Sequence, residues 1–176
     1  VLFTDGEEVD LQGMKAAYKY NKEIFHNVGL IINVESRGPF GPTLLFETSP
    51  GNERLIKLYA KYAQCPFAYS LTNLVYQQMP NGTDFNIVRD SIPGFNFSPV
   101  ADINHYHTDL DNIQNISVKT IQNYGRQITP VVQAYLTNKD YADKEYFRAE
   151  EDAVYFSIPL LGVFHFSKKQ YWLLNI

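Results

Sequence analysis

Val28-Gly29-Leu30-Ile31-Ile32-Asn33-Val34 is a nearly continuous apolar run that ends at Glu35. A strand with one wet face alternates, whereas an unbroken run of this length reads as a strand covered on both faces, the habit of parallel sheets. A shorter run of the same kind, Val1–Thr4, precedes a segment in which Leu11, Met14 and Tyr18 recur at helical spacing, with Asp10 placed to cap it. Strand, helix, strand in that order predicts a βαβ unit and an α/β fold on a mostly parallel sheet. The size agrees: 176 residues suit one domain, and 45% hydrophobic residues suffice for a sizeable core.

Further along, Gly38, Pro39, Gly41 and Pro42 predict a loop, and Thr43–Glu47 another strand. Ser49-Pro50 reads as a helix start, with Leu55, Leu58, Tyr59 and Tyr62 as the buried face. Residues 65–98 are broken by Pro66, Pro80, Asn81-Gly82 and Pro93-Gly94, with Pro99 just beyond, so short elements and long loops are expected there. Ile121, Tyr124, Ile128, Val131 and Tyr135 mark the clearest helix, which Pro130 should kink. Residues 139–152 hold nine charges in fourteen positions, a solvated turn or helix, and 153–166 predict one or two strands.

Several classes are excluded. Fifteen Lys+Arg against nineteen Asp+Glu give a net charge of −4, which is no footprint of a nucleic-acid binder. The single Cys65 rules out a disulfide framework and a cysteine-rich zinc site. The apolar, uncharged stretch 153–167 is shorter than the ~20 residues of a membrane helix, and Pro159 and Gly162 interrupt it. The apolar opening without a basic region, and the ending Tyr171-Trp172-Leu173-Leu174-Asn175-Ile176, suggest a segment of something longer. The sequons at Asn81, Asn96 and Asn115 carry meaning only in a secreted eukaryotic chain.

In a parallel α/β sheet, ligands collect at the carboxyl ends of the strands. The first predicted strand runs into Asp5-Gly6-Glu7-Glu8 and the second into Glu35, so these acids would converge at one rim. Crowded carboxylates repel unless a cation sits among them, although a loop carrying acids for solubility is the competing reading. His105-Tyr106-His107-Thr108-Asp109 adds two imidazoles, either of which could ligate a metal. His26 and His165 stand in ordinary contexts, the latter on a strand.

Taken together, these segments carry a resemblance. Phe3-Thr4-Asp5-Gly6-Glu7-Glu8 followed by Leu11-Gln12-Gly13 resembles the double-glutamate motif of the co-catalytic dizinc exopeptidases, the aminopeptidase family that includes glutamate carboxypeptidase-like members. Segments 33–38, 41–48, 80–85 and 93–97 follow in family order, and Tyr106-His107-Thr108 with Asp111 closes the set. The similarity spans residues 1 to about 135 and is greatest to a branch whose peptidase domain is joined to membrane spans.

The resemblance implies a three-layer α/β/α fold with a mostly parallel, mixed sheet that lacks its N-terminal strands. It implies one domain over 1–176, with the motifs in 1–138 and a charged turn and terminal strands in 139–176. Glu7 takes the place of the general base, Tyr106 that of the oxyanion donor, and Glu8, Glu35 and His107 those of zinc ligands; Asp10 stands where the family often has Gly. Two zinc ions are implied for the complete domain, but the family's further His and bridging Asp lie upstream of this motif. The segment alone is therefore expected to hold zinc partly or not at all and to be inactive. The implied activity is that of an exopeptidase, most simply an aminopeptidase acting on peptides in an extracytoplasmic or membrane-associated setting. Self-association through the edge left by the missing strands is also expected. The alternatives are a peptidase-like binding domain without catalysis and an unrelated α/β domain.

Overall fold

The computed structural model describes residues 1–170, and Tyr171–Ile176 with any terminal strand there lies outside the described residues. Three strands, β1 (Ile31–Val34), β2 (Phe40–Thr48) and β3 (Gly94–Ala101), form a mixed sheet with β3 in the middle. β1 runs parallel to β3 and β2 antiparallel to it. A hairpin of β4 (Ala153–Ile158) and β5 (Gly162–Ser167) meets this sheet through the segment around Ala68 and Tyr69, which bridges to Leu45 and Phe156.

The helices follow the apolar spacing. α3 (Glu53–Tyr62) buries Leu55, Ile56, Leu58 and Tyr59, and Tyr59 packs its ring against Phe95 and Phe97 of β3 at centroid distances of 6.0 and 5.9 Å. α5 (Val118–Thr137) contributes Val131 and Ala134 to the same core, and its fully buried Gln127 accepts from the Tyr59 hydroxyl and donates to the Thr43 carbonyl. The helix runs through Pro130: the carbonyl of Arg126, which a residue with an N–H at 130 would have used, accepts instead from the Gln64 amide at 3.1 Å. α1 (Gln12–Tyr20) and α2 (Lys22–Phe25) shelter a smaller core of Met14, Phe85, Val88 and Ile92. α4 (Ser70–Tyr76) lies against β2 through Tyr76, whose ring meets Phe46 at 4.7 Å.

Several expectations need correction. Val1–Thr4 is not a strand; no described strand pairs with it and Phe3 is 91% exposed, so its backbone has no ladder to join. Among the described residues β1 is an edge strand of the sheet, and it is only partly covered rather than buried on both faces. Ser49-Pro50 makes a turn instead of a helix start: Gly51 adopts φ +69°, Ser49 Oγ donates to the Ile92 carbonyl, and α3 begins three residues after Pro50. Ile121 is exposed, and the buried face of α5 falls on Thr120, Gln127, Val131 and Ala134.

The central strand was the element hardest to foresee, because Pro99 lies inside it. Pairing with β1 stops at Phe97, so at Pro99 only β2 flanks β3 and the missing N–H costs no bond to β1. Residues 139–152 also hold more than solvated charge, since Phe147 is buried among Tyr135, Tyr141 and Tyr146.

Candidate functional site

The acidic turn at the N-terminus is locked by its backbone. The amides of Leu11, Gln12 and Gly13 donate to the carbonyls of Glu7, Gly6 and Asp5 at 2.9, 3.0 and 2.9 Å. A Cβ on Gly13 would meet the Asp5 carbonyl oxygen at 2.1 Å, so this close approach requires glycine. Asp10 and Leu11 sit in the left-handed region at φ 69° and 55°. Asp10 therefore occupies a position that favours Gly; its side chain does not cap α1 and pairs with Lys15 at 2.6 Å instead.

This turn brings Glu8 to His107, ninety-nine residues later, with His107 Nε2 at 2.9 and 2.8 Å from the two carboxylate oxygens. His107 itself has φ 58°, and its ring stacks on Tyr106 at 3.7 Å. Arg37 lies over the other ring of that stack, 5.5 Å from the Tyr106 centroid. Burial pushes the Tyr106 hydroxyl's pKa up, and the nearby Glu8 carboxylate adds to it, so the phenol stays a donor. His105 falls away from this group: its Nδ1 is enclosed without a partner and its ring meets Phe40 edge-on at 6.4 Å.

Glu7 sits beside Glu8 and titrates above the usual carboxylate range, first from burial, then from the Glu8 and Asp84 charges, with His107 opposing. Glu35, at the end of β1, is pushed up to about 7 by burial; the Asn33 hydrogen bond opposes this, and Glu7, Asp84 and Glu8 reinforce it. Asp84 had no role in the sequence reading. It is buried, one carboxylate oxygen accepts from the Thr4 hydroxyl, and the other has no partner. In the sequence it stands in segment 80–85, one of those that carry the resemblance, within the turn Asn81-Gly82-Thr83-Asp84, where Thr83 and Asn86 form a capping box.

The donor set of carboxylates with one imidazole suits zinc, and the unpartnered oxygen of Asp84 marks a place where a cation would be welcome. Glu8 and His107 are joined directly, but among the described residues no group of three or more His, Cys, Asp or Glu is arranged to hold a metal ion. Glu35 thus shares the electrostatic neighbourhood of Glu8 without closing a three-ligand set with it and His107.

Raised acids have a consequence for the metal-free chain. Glu35 binds its proton more tightly folded than unfolded between pH 4.5 and about 7. Stability should therefore be fully supported below that window and fall as pH rises through it, by about 2 kcal/mol after allowance for partial exposure. Urea midpoints at pH 5 and 8 measure this, and Glu35→Gln should flatten the difference.

A cavity of about 280 Å³ opens next to this group, lined by Arg37, Leu44, Phe46, Val75, Tyr76 and Met79 among others. Burial and the Glu47 charge push the Tyr76 hydroxyl up to about 12. No described helix is long and apolar enough to cross a membrane.

Residues 1–132 match the family described as Peptidase family M28. The chain is 34% identical to human endoplasmic reticulum metallopeptidase 1 over 137 residues, covering 76% of this chain and 15% of that protein. The mouse protein of the same name is 34% identical over 121 residues, 66% of this chain and 14% of the relative. A vacuolar membrane protease of Candida dubliniensis is 28% identical over 126 residues, 68% of this chain and 13% of the relative. The chain thus spans about one-seventh of the length of these curated relatives. No solved structure matches it.

Proposed function

The chain belongs to Peptidase family M28, and from that premise we propose that it is part of a zinc-dependent exopeptidase, an aminopeptidase in which Glu7, Glu8, Glu35, Tyr106 and His107 do the work. The observation that supports this reading best is the Glu8–His107 contact at 2.8 Å, which joins the double-glutamate turn to the Tyr106-His107 loop. Glu8, Glu35 and His107 would hold zinc, with the remaining His and Asp supplied from outside these residues. The bound metal supplies polarisation of the scissile carbonyl and of the attacking water.

The protein's own groups do the rest. The Glu7 carboxylate, its pKa raised by burial, accepts the water's proton and returns it to the leaving amine. The Tyr106 hydroxyl, kept protonated, donates to the oxyanion. The apolar cavity beside Arg37 receives the side chain next to the scissile bond. We read the fold as one domain of the three-layer type, and the setting as a membrane-associated compartment of the secretory pathway, as the relatives' names suggest.

With three of the five implied ligands, the 176-residue chain alone should neither retain two zinc ions nor hydrolyse an amino-acid amide. The test compares zinc content and leucine-amide hydrolysis of this chain with a protein carrying the remaining ligands. Metal-dependent turnover in the latter supports the reading; two zinc ions and no turnover there favour the binding-domain alternative.

The cavity gives a separate prediction. Val75 is exposed at its rim, so Val75→Trp should fill it without disturbing the core. We expect kcat/KM for a leucine substrate to fall about tenfold or more while an alanine substrate is spared. The chain has two methionines, Met79 at the cavity and Met14 in the smaller core. Leucine amide should shift the Met79 methyl signal alone.

A further inference from the structure

Glu35 is not held by loop contacts alone. Behind it, three polar residues stand level across the sheet: Asn33 on β1 is the register partner of Asn96 on β3, which is also the partner of Glu47 on β2. A register shift between Leu45 and Glu47 puts Glu47, rather than Phe46, opposite Asn96. Asn96 and Glu47 are fully buried, where unpaired polar groups are costly, so each contact is made.

The contacts have a direction. Arg89 Nη1 donates to Glu47 Oε1 at 2.8 Å, and Asn96 Nδ2 donates to Glu47 Oε2 at 2.9 Å and to Thr83 Oγ1 at 2.9 Å. A carboxylate paired with a guanidinium only accepts, so Asn96 must turn its amide nitrogen toward Glu47 and its oxygen toward β1. That oxygen accepts from Asn33 Nδ2 at 3.0 Å, and the same nitrogen donates to Glu35 Oε1 at 3.0 Å. Reversing any amide would set donor against donor or acceptor against acceptor.

We propose that Asn33 is the positioning residue for Glu35, with its donor fixed toward the carboxylate by buried Glu47 acting through Asn96. The inference rests on the reading of Glu35 as a metal ligand. Outer hydrogen bonds of this kind hold a ligand's orientation, and their loss costs 10–100-fold in metal affinity or activity in known centres. Asn33, Asn96 and Glu47 touch no reacting atom and act through Glu35.

The first test uses the chain itself and the side-chain amide signals of its asparagines. Glu35→Ala should move the Asn33 NH2 signals and leave those of Asn96 nearly in place. Glu47→Gln should move both pairs, with the backbone amides of β1 unchanged. If Glu47→Gln moves Asn96 and leaves Asn33 where it was, the proposal falls. The second test uses a metal-loaded protein carrying the chain and the remaining ligands. Asn33→Leu, on the partly exposed edge strand, should lower zinc retention and kcat about 10–100-fold with KM within twofold, and Asn33→Gln should restore part of the loss. Unchanged zinc and kcat in Asn33→Leu overturn the proposal. Unchanged zinc and kcat in Glu35→Ala overturn the ligand reading instead, whatever the amide signals show.

Discussion

Glu7→Gln in a metal-loaded protein carrying this chain should lower kcat by about 10²–10⁴-fold while zinc content stays constant. Gln has nearly the same shape, so the turn locked by Gly6 and Gly13 should keep its geometry, and Glu8 should remain against His107. What disappears is the only group at this position able to accept and return a proton. Burial and the Glu8 and Asp84 charges raise Glu7 above its ordinary value, with His107 opposing, the direction expected of a tuned general base. Glu8→Gln should behave differently, losing zinc together with activity, because its contact to His107 belongs to the ligand set proposed here. A Glu7→Gln protein with near-native kcat would assign the base to another residue.

The parts of the site legible in the sequence are those carried by contiguous segments. The double-glutamate turn and the Tyr106-His107 pair could be singled out because each lies in a short segment that carries the family resemblance, and α3 because its apolar period is regular. Val1–Thr4 misled because β-propensity describes a residue's fit to a ladder, and no described strand offers one there. Pro99 misled in the opposite sense: a proline argues against a central strand only where both neighbours are present. Asp84 lies in a segment that carries the resemblance but has no role legible there, because burial and an oxygen without a partner among the described residues are tertiary facts. Glu47 was silent for a related reason. By strand alternation it should share a face with Leu45, and only the register shift between them places it opposite Asn96.

Arg89→Ala should destabilise the chain by about 3 kcal/mol, the low end of the loss seen when one partner of a buried ion pair is removed, because Arg89 keeps some exposure. Glu47 is fully buried and would retain Asn96 as its only hydrogen-bond donor among the described residues. In a protein of this size that corresponds to a fall in Tm of roughly 6–12 °C. The exposed pairs of Lys57 with Glu53 and Lys15 with Asp10 give the contrast: Lys57→Ala and Lys15→Ala should each cost about 0.5 kcal/mol or less. Adding Glu47→Gln to Arg89→Ala separates charge from packing. The neutral amide removes the uncompensated charge, so part of the lost stability should return, measured by urea denaturation at pH 7. If the double variant is no more stable than Arg89→Ala, the loss came from the arginine's packing against the sheet. If Arg89→Ala itself unfolds at the native midpoint, Glu47 reaches water or another cation. In that case the buried end of the Asn96–Asn33 chain is not anchored by Arg89.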